Sequence, residues 1–285
     1  MGGDKVACRL CHHGCTLAEG ETGFCRARGN RGGKLQSLSY GLLTSVALDP
    51  IEKKPLYHFH PGSRILSVGS FGCNLCCPFC QNSSISQAGE EEFSRGGEGR
   101  LWRLPPEELL ALALDTRDKH GNIGAAFTYN EPLMNYEYVR DSARLLKEAG
   151  LKTVLVTNGE LAAAPFRQLL PLIDAMNIDL KGFTEDFYRW LAGDLALVKE
   201  NIKAAFATGC HVEVTTLVVT GHNDGEEDME REARWLAGLS PEIPLHLSRY
   251  FPRYRLRQPS TPIDTLERLR RIAQGHLRHV HLGNV

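Results

Sequence analysis

The sequence predicts an α/β chain, a partial barrel of six βα units preceded by a small cysteine-rich metal-binding module. Three observations predict it. From Arg64 onward, apolar runs of strand length alternate with stretches of helical periodicity, the pattern of parallel strands joined by crossover helices. Polar motifs interrupt that pattern at the carboxyl ends of the runs, where a barrel gathers its βα loops. Eight of the nine cysteines stand in two tight groups, one ahead of the barrel and one directly behind its first strand. A chain of 285 residues is long enough for one such domain with a full core and an appendage. The expected division is a module at 1–34, a connecting segment over the barrel at 35–63, and the barrel itself at 64–285.

The six predicted strands are Arg64–Gly69, Ile123–Tyr129, Thr153–Thr157, Asp174–Leu180, His211–Val219 and Pro244–Tyr250. Between and after them, periodic leucines and alanines predict helices over Pro105–Lys119, Tyr136–Ala149, Pro165–Leu170, Glu185–Leu191 with Leu197–Thr208, Glu226–Ala237 and Pro262–Gln274. Val280-His281-Leu282 is long enough for one further short strand.

In the module, Cys8-x2-Cys11-x3-Cys15-x9-Cys25 supplies four thiolates within a glycine-rich stretch that has too few apolar residues for its own core. A metal tying the loops together is the natural account, zinc or a second iron–sulfur cluster, with zinc slightly ahead as a structural site. His12 and His13 are alternative ligands, though adjacent histidines in a polar loop are more often solvated. Beyond it, Leu35 to Leu43 alternates enough for a short strand or hairpin. The prolines of Leu48 to Gly62 exclude a regular element across that whole stretch. Its Glu52, Lys53 and Lys54 read as solvated surface or, in the functional reading, as part of a segment across the barrel mouth. His58 and His60 share one side of an extended chain, where surface histidines are commoner than metal ligands.

A net charge of −1 offers no basic excess for nucleic acid and no acidic tail. No apolar stretch is long enough for a signal peptide or a membrane span, so the cysteines read as metal thiolates in a reducing cytoplasm rather than disulfides. Cys210, alone before an apolar strand, reads as core.

The loop behind the first strand carries Cys73, Cys77 and Cys80 in a C-x3-C-x2-C spacing. Three thiolates on a cubane leave one iron with an open position, where a metal does chemistry. The competing readings are a zinc knuckle short of a ligand and plain buried thiols, and Cys73 with Cys76 is itself a zinc-like pair. Further polar groups end the next strands: Thr128-Tyr129-Asn130-Glu131-Pro132, Thr157-Asn158-Gly159, Asn177-Ile178-Asp179-Leu180-Lys181 and His246 to Arg249. Strand alternation sets Asp179 and Lys181 on one face, as an interior salt bridge or a ligand site. Glu131 is also suited to a helix N-terminus. Asn223 and Asp224 read as caps, and Arg253, Arg255 and Arg257 as solvated residues able to receive an acidic partner.

The cysteine spacing resembles that of radical S-adenosylmethionine (SAM) enzymes. Together with the N-terminal cysteines, Asp49-Pro50-Ile51-Glu52-Lys53-Lys54-Pro55-Leu56, Gly72-Cys73-Asn74-Leu75 and the strand-end motifs, it resembles the radical SAM protein of the AmmeMemoRadiSam system, a family labelled pyruvate formate-lyase-activating-enzyme-like. The chain departs from many relatives in carrying Cys76 within the loop, in Val156 where activases often have aspartate, and in ending at Val285 without a cysteine-bearing tail. The resemblance implies a partial TIM-type barrel and a [4Fe-4S] cluster on Cys73, Cys77 and Cys80. It further implies SAM contacts from Phe79 beside the adenine, Tyr129, Asn130, Glu131 toward the ammonium, Thr157, Asn158, Asp179, Lys181 and Arg249. The implied activity is reductive cleavage of SAM to a 5′-deoxyadenosyl radical that abstracts hydrogen from a protein, peptide or small molecule, in the manner of a glycyl-radical activase. The implied associates are an external electron donor and Memo-like or AmmeMemo-type proteins. A small-molecule modifying or carbon–carbon coupling radical SAM enzyme is the second expectation, and a non-catalytic zinc-thiolate scaffold the third.

Overall fold

The computed structural model describes residues 5–94 and 101–285, so the first four residues of the expected module lie outside it. Eight strands form one sheet: β1 (Ser45–Pro50), β2 (Arg64–Gly69), β3 (Asn122–Phe127), β4 (Lys152–Thr157), β5 (Ala175–Asp179), β6 (His211–Val218), β7 (Leu245–Arg249) and β8 (Val280–Gly283). Their spatial order is their chain order, from β1 at one edge to β8 at the other. Each neighbouring pair from β2 to β8 is parallel, and β1 alone runs antiparallel to β2.

The six expected strands are thus joined by two more at the edges. Strand β8 occupies the further C-terminal run. Strand β1 forms despite its proline, because Pro50 is its last residue and stands on an edge, where the missing amide costs no ladder bond inside the sheet. Immediately after it the chain tightens into a 3-10 turn, Ile51–Lys53. Upstream, Arg28–Arg31 and Lys34–Ser37 form a hairpin, while Leu42–Leu43 pairs with Trp102–Arg103 across a long separation that no local pattern announces.

The longer helices, α1 (Pro106–His120), α2 (Tyr136–Glu148), α3 (Ala163–Leu169), α4 (Glu185–Trp190), α5 (Leu195–Ala207), α6 (Glu226–Leu239) and α7 (Ile263–Gln274), lie between successive strands. Their buried residues recur at helical spacing: Val139, Ala143 and Leu146 in α2, Val198, Ile202 and Ala205 in α5, Leu266, Leu269 and Ala273 in α7. Each leucine or isoleucine so covered contributes about 1.5–3 kcal/mol of apolar burial. Helix α1 ends at Gly121, whose φ of 68° supplies the left-handed C-cap that a side chain would resist.

Ile51, Leu56 and Phe59 pack with Ile65, Val154 and Ala175 in a small separate core drawn from the early parts of the strands. The segment was expected across the barrel mouth; instead it divides, filling the interior near the strand starts with these apolar side chains. Its anchor is Glu213, fully buried on β6, whose carboxylate accepts the amides of Tyr57 (3.0 Å) and His58 (2.8 Å) and contacts His211 and His246. Asn177 adds a bond to the carbonyl of Pro55 at 2.8 Å. His58 sits against His281, their Nε2 atoms 2.9 Å apart.

Candidate active site

At the carboxyl ends of the strands a cavity of about 310 Å³ opens. Cys73, Cys77 and Cys80 all line it, while Cys76 does not; its Sγ and its amide both point to the carbonyl of Leu191, at 3.5 and 3.0 Å. The loop reaches this shape because Gly72, at φ 86°, passes so close to the module that an added Cβ would lie 2.4 Å from the carbonyl oxygen of Cys25. Asn130 braces the same loop, its Nδ2 donating to the carbonyl of Gly72 at 2.9 Å while its Oδ1 accepts the amide of Ser70. Around Cys73 the donors are the amide of Leu75, 3.3 Å from Sγ, and Nδ2 of Asn158, 3.8 Å away.

Burial raises the Cys77 thiol to about 12, against the opposing pull of Lys181, and lifts Cys73 well above its ordinary value. Such thiols hold their protons until a cation displaces them. Lys181 is that kind of neighbour in miniature. Burial alone would depress its ammonium, but Asp179, whose Oδ2 lies 2.7 Å from Nζ, and the facing Cys77 and Cys80 outweigh it and raise the pKa. Asp179 and Lys181 both line the cavity.

Glu131 lies four residues beyond the end of β3, directly before Pro132 opens a short 3-10 turn, and it is 2% exposed. It does serve as the N-cap of a short 3-10 turn, accepting the amide of Leu133 at 3.0 Å. It also accepts Thr157 Oγ1 and the Asn158 amide, each at 2.7 Å. Burial nonetheless lifts its carboxyl to about 7, since these three donors only partly replace lost water. Phe79 lines the cavity, stacked on Phe187 and tilted against Trp190.

Tyr129 carries a positive φ of 75°, strained for a non-glycine residue, and turns its phenol onto Asp49 at 2.7 Å. Lys53 and Lys54 also reach Asp49, each at 3.0 Å, and both line the cavity. Lys54 is 2% exposed, with its ammonium 4.6 Å from the Tyr129 ring centre. Burial works against the Asp49 carboxylate, yet these three donors hold it well below the usual range. Tyr129 is an expected SAM contact and Lys53 and Lys54 belong to the segment expected across the mouth, but their union on Asp49 is not expected. Its signal was present in an aspartate four and five residues before two lysines, between prolines that fix the chain.

One expected residue is not in the cavity. Arg249 donates from Nε to the carbonyl of Thr261 at 2.8 Å and lays its guanidinium over Phe251. It ends β7 as expected, but a loop carbonyl and a ring face capture it before it reaches the mouth.

The N-terminal cysteines line a second, smaller cavity of about 10 Å³. His12 bonds to Glu160 and to the carbonyl of Ala192, and His13 to the carbonyl of Asn74. Both histidines therefore serve to dock the module beside the Cys73 loop.

With this geometry in view, comparison with known proteins is decisive. A model described as the radical SAM superfamily matches residues 67–236, more than half of the chain. The chain belongs to the radical SAM superfamily. It is 39% identical over 286 aligned residues to an uncharacterized protein of Methanocaldococcus jannaschii, MJ0808, covering 99% of this chain and 82% of that one. It is 27% identical to a pyruvate formate-lyase-activating enzyme of Clostridium pasteurianum, over 63% of this chain and 71% of the enzyme. A radical SAM methyltransferase structure from Sphaerobacter thermophilus shares the fold, with a TM-score of 0.58, 17% identity, and coverage of 98% of this chain and 76% of that one. Radical SAM membership makes the protein an enzyme and implies a [4Fe-4S] cluster and SAM. The residues fit both: three thiols face one cavity with Lys181 beside two of them, and the space beyond them is lined by hydrogen-bonding groups. The match begins inside β2 and ends within α6, so it contains every cluster-loop cysteine and none of the N-terminal four.

Proposed function

We infer that this radical SAM enzyme abstracts hydrogen from a protein, peptide or small-molecule substrate, in the manner of a glycyl-radical activase. The observation that carries the reading is the gathering of Cys73, Cys77, Cys80, Glu131, Asn158, Asp179 and Lys181 around a single cavity. When bound, the reduced cluster and SAM supply a 5′-deoxyadenosyl radical. The chain's part is to hold and orient. In this reading Cys73, Cys77 and Cys80 are the cluster ligands, leaving one iron open for SAM. Glu131 in its ionised form receives the SAM ammonium by a charge-assisted bond. Lys181 offsets the thiolate charge and Asp179 fixes its ammonium. Asn130 and Asn158 keep the cysteine loop in register, Thr157 orients Glu131, and Phe79 offers an apolar face for adenine. Similarity to the pyruvate formate-lyase-activating enzyme supports a protein or peptide substrate. An external one-electron donor, and Memo-like or AmmeMemo-type proteins as associates, belong to the same reading.

A second reading, a small-molecule modifying enzyme, rests on Lys53 and Lys54. Two ammonium groups share one carboxylate at the cavity wall, leaving excess positive charge for an anionic substrate. The test is anaerobic reconstitution with iron and sulfide, followed by SAM and dithionite. Both readings expect 5′-deoxyadenosine, and a persistent glycyl signal in electron paramagnetic resonance with a protein partner separates the first from the second. Reconstituted protein that carries iron yet cleaves no SAM would sink both.

A further inference from the structure

We propose that Cys8, Cys11, Cys15 and Cys25 bind one structural zinc ion that clamps the N-terminal module against the loop carrying Cys73. All four side chains line one cavity, whose other walls are largely apolar, Leu10, Leu17, Phe24 and Met134 among them. Its free volume of about 10 Å³ is the room of a single small sphere. Four thiols around so small a space make the closed, four-sulfur set of a single tetrahedral ion.

In the ligand-free chain, among the described residues, no three His, Cys, Asp or Glu side chains are arranged to hold a metal ion. The three thiols of the active-site loop share that property, so it marks an open arrangement rather than a wrong set of ligands. Zinc–sulfur bonds of about 2.3 Å would draw the four sulfurs to a mutual spacing of roughly 3.8 Å and release their protons.

Arg28 supplies an independent pointer. It lines the same cavity at 5% exposure, commits both terminal nitrogens to Glu137 at 2.7 and 2.8 Å, and leaves its buried Nε–H without an acceptor. A buried donor of this kind is costly unless paired, and a thiolate sulfur drawn onto zinc is the acceptor the site lacks.

The clamp acts through backbone. The carbonyl of Cys25 accepts the amide of Cys73 at 3.1 Å, and the carbonyl of Leu10 accepts the amide of Ala162 at 2.8 Å. Fixing Cys25 on zinc therefore fixes the point from which the active-site loop departs.

The proposal does not depend on the radical chemistry, and its test removes that chemistry. The full-length chain with Cys73→Ala, Cys77→Ala and Cys80→Ala is loaded anaerobically with zinc, or separately with iron and sulfide. One zinc per chain and no retained iron is the expected result; stoichiometric iron and sulfide, or no bound metal, overturns it. Cobalt in place of zinc should give the intense visible bands of a tetrahedral thiolate site, and octahedral spectra would count against the four-cysteine set. In the otherwise natural chain, removing zinc with a chelator should speed hydrogen exchange at the Cys73 amide at least tenfold. Unchanged exchange there would dispose of the clamp.

Discussion

Two sets of cysteines lie side by side in this protein and are built on opposite plans. Cys73, Cys77 and Cys80 offer three sulfurs to a cavity of about 310 Å³ lined with hydroxyls, amides and charges, whereas Cys8, Cys11, Cys15 and Cys25 offer four to about 10 Å³ walled mainly by apolar side chains. Closed coordination with no spare room builds structure, and incomplete coordination beside spare room permits chemistry. A count of cysteines would not reveal the distinction. It lies in how many sulfurs face the space and how much space there is.

The largest expected effect tests the three-sulfur set. Cys77→Ala should bring 5′-deoxyadenosine formation below detection, and retained SAM cleavage would remove the ligand assignment. Next comes the four-sulfur set: Cys8→Ser should lower Tm by more than about 5 °C, equivalent to roughly 2 kcal/mol in a domain of this size, measured by calorimetry in zinc-containing buffer. A shift of a degree or less would mean that the N-terminal sulfurs do not share a metal.

Glu131→Gln tests the polar side of the larger cavity. Losing a charge-assisted bond worth about 1.5–3 kcal/mol should weaken SAM binding by roughly 10- to 150-fold in anaerobic titration calorimetry. The natural enzyme should mimic this change on acidification, because Glu131 loses its charge as pH falls through about 7. SAM affinity that is flat from pH 8 to 6 would speak against an ammonium contact.

A carboxyl outside both cavities provides a control on burial. Glu232, on α6, is fully buried against Thr216, and burial raises it to about 8. The Thr216 hydroxyl is 3.0 Å from the carbonyl of Leu180, and donating there leaves its oxygen free to accept a proton from a neutral Glu232. From about pH 4.5 to 8 the folded chain therefore holds a proton that the unfolded chain has lost, so this group makes stability fall as pH rises. Glu232→Gln should flatten that fall in denaturant titrations; an unaltered pH slope would show that Glu232 is ionised in the fold. The smallest effect belongs to Cys76→Ser. Its hydroxyl can take over the contact with the Leu191 carbonyl, and both iron content and SAM cleavage should stay within about twofold.

Much of this was legible in the chain because the periodicities of strand and helix are local. The runs from Arg64 to Arg249 became β2 to β7 within a residue or two, and the motifs at their ends supply cavity walls, Asp179 and Lys181 by alternation and Tyr129 to Glu131 and Asn158 from the loops that follow the strands. Arg249 failed by the same rule's limit, since alternation says which way a side chain starts and not whether a carbonyl such as that of Thr261 intercepts it. The union of Lys53, Lys54 and Tyr129 on Asp49 was missed because it joins partners across 80 positions, from Asp49 to Tyr129.

What the sequence by itself determined is the alternation of strand and helix, the three-cysteine spacing, and the face shared by Asp179 and Lys181. These depend on neighbours within one turn or one pleat. Only the tertiary structure decided that Cys76 turns to Leu191, that Ile51 to Phe59 fills the barrel interior while Lys54 reaches the cavity, and that the four N-terminal cysteines line one small cavity. Those outcomes depend on which distant backbone group arrives first at a given point, and packing settles that competition where no local pattern can encode it.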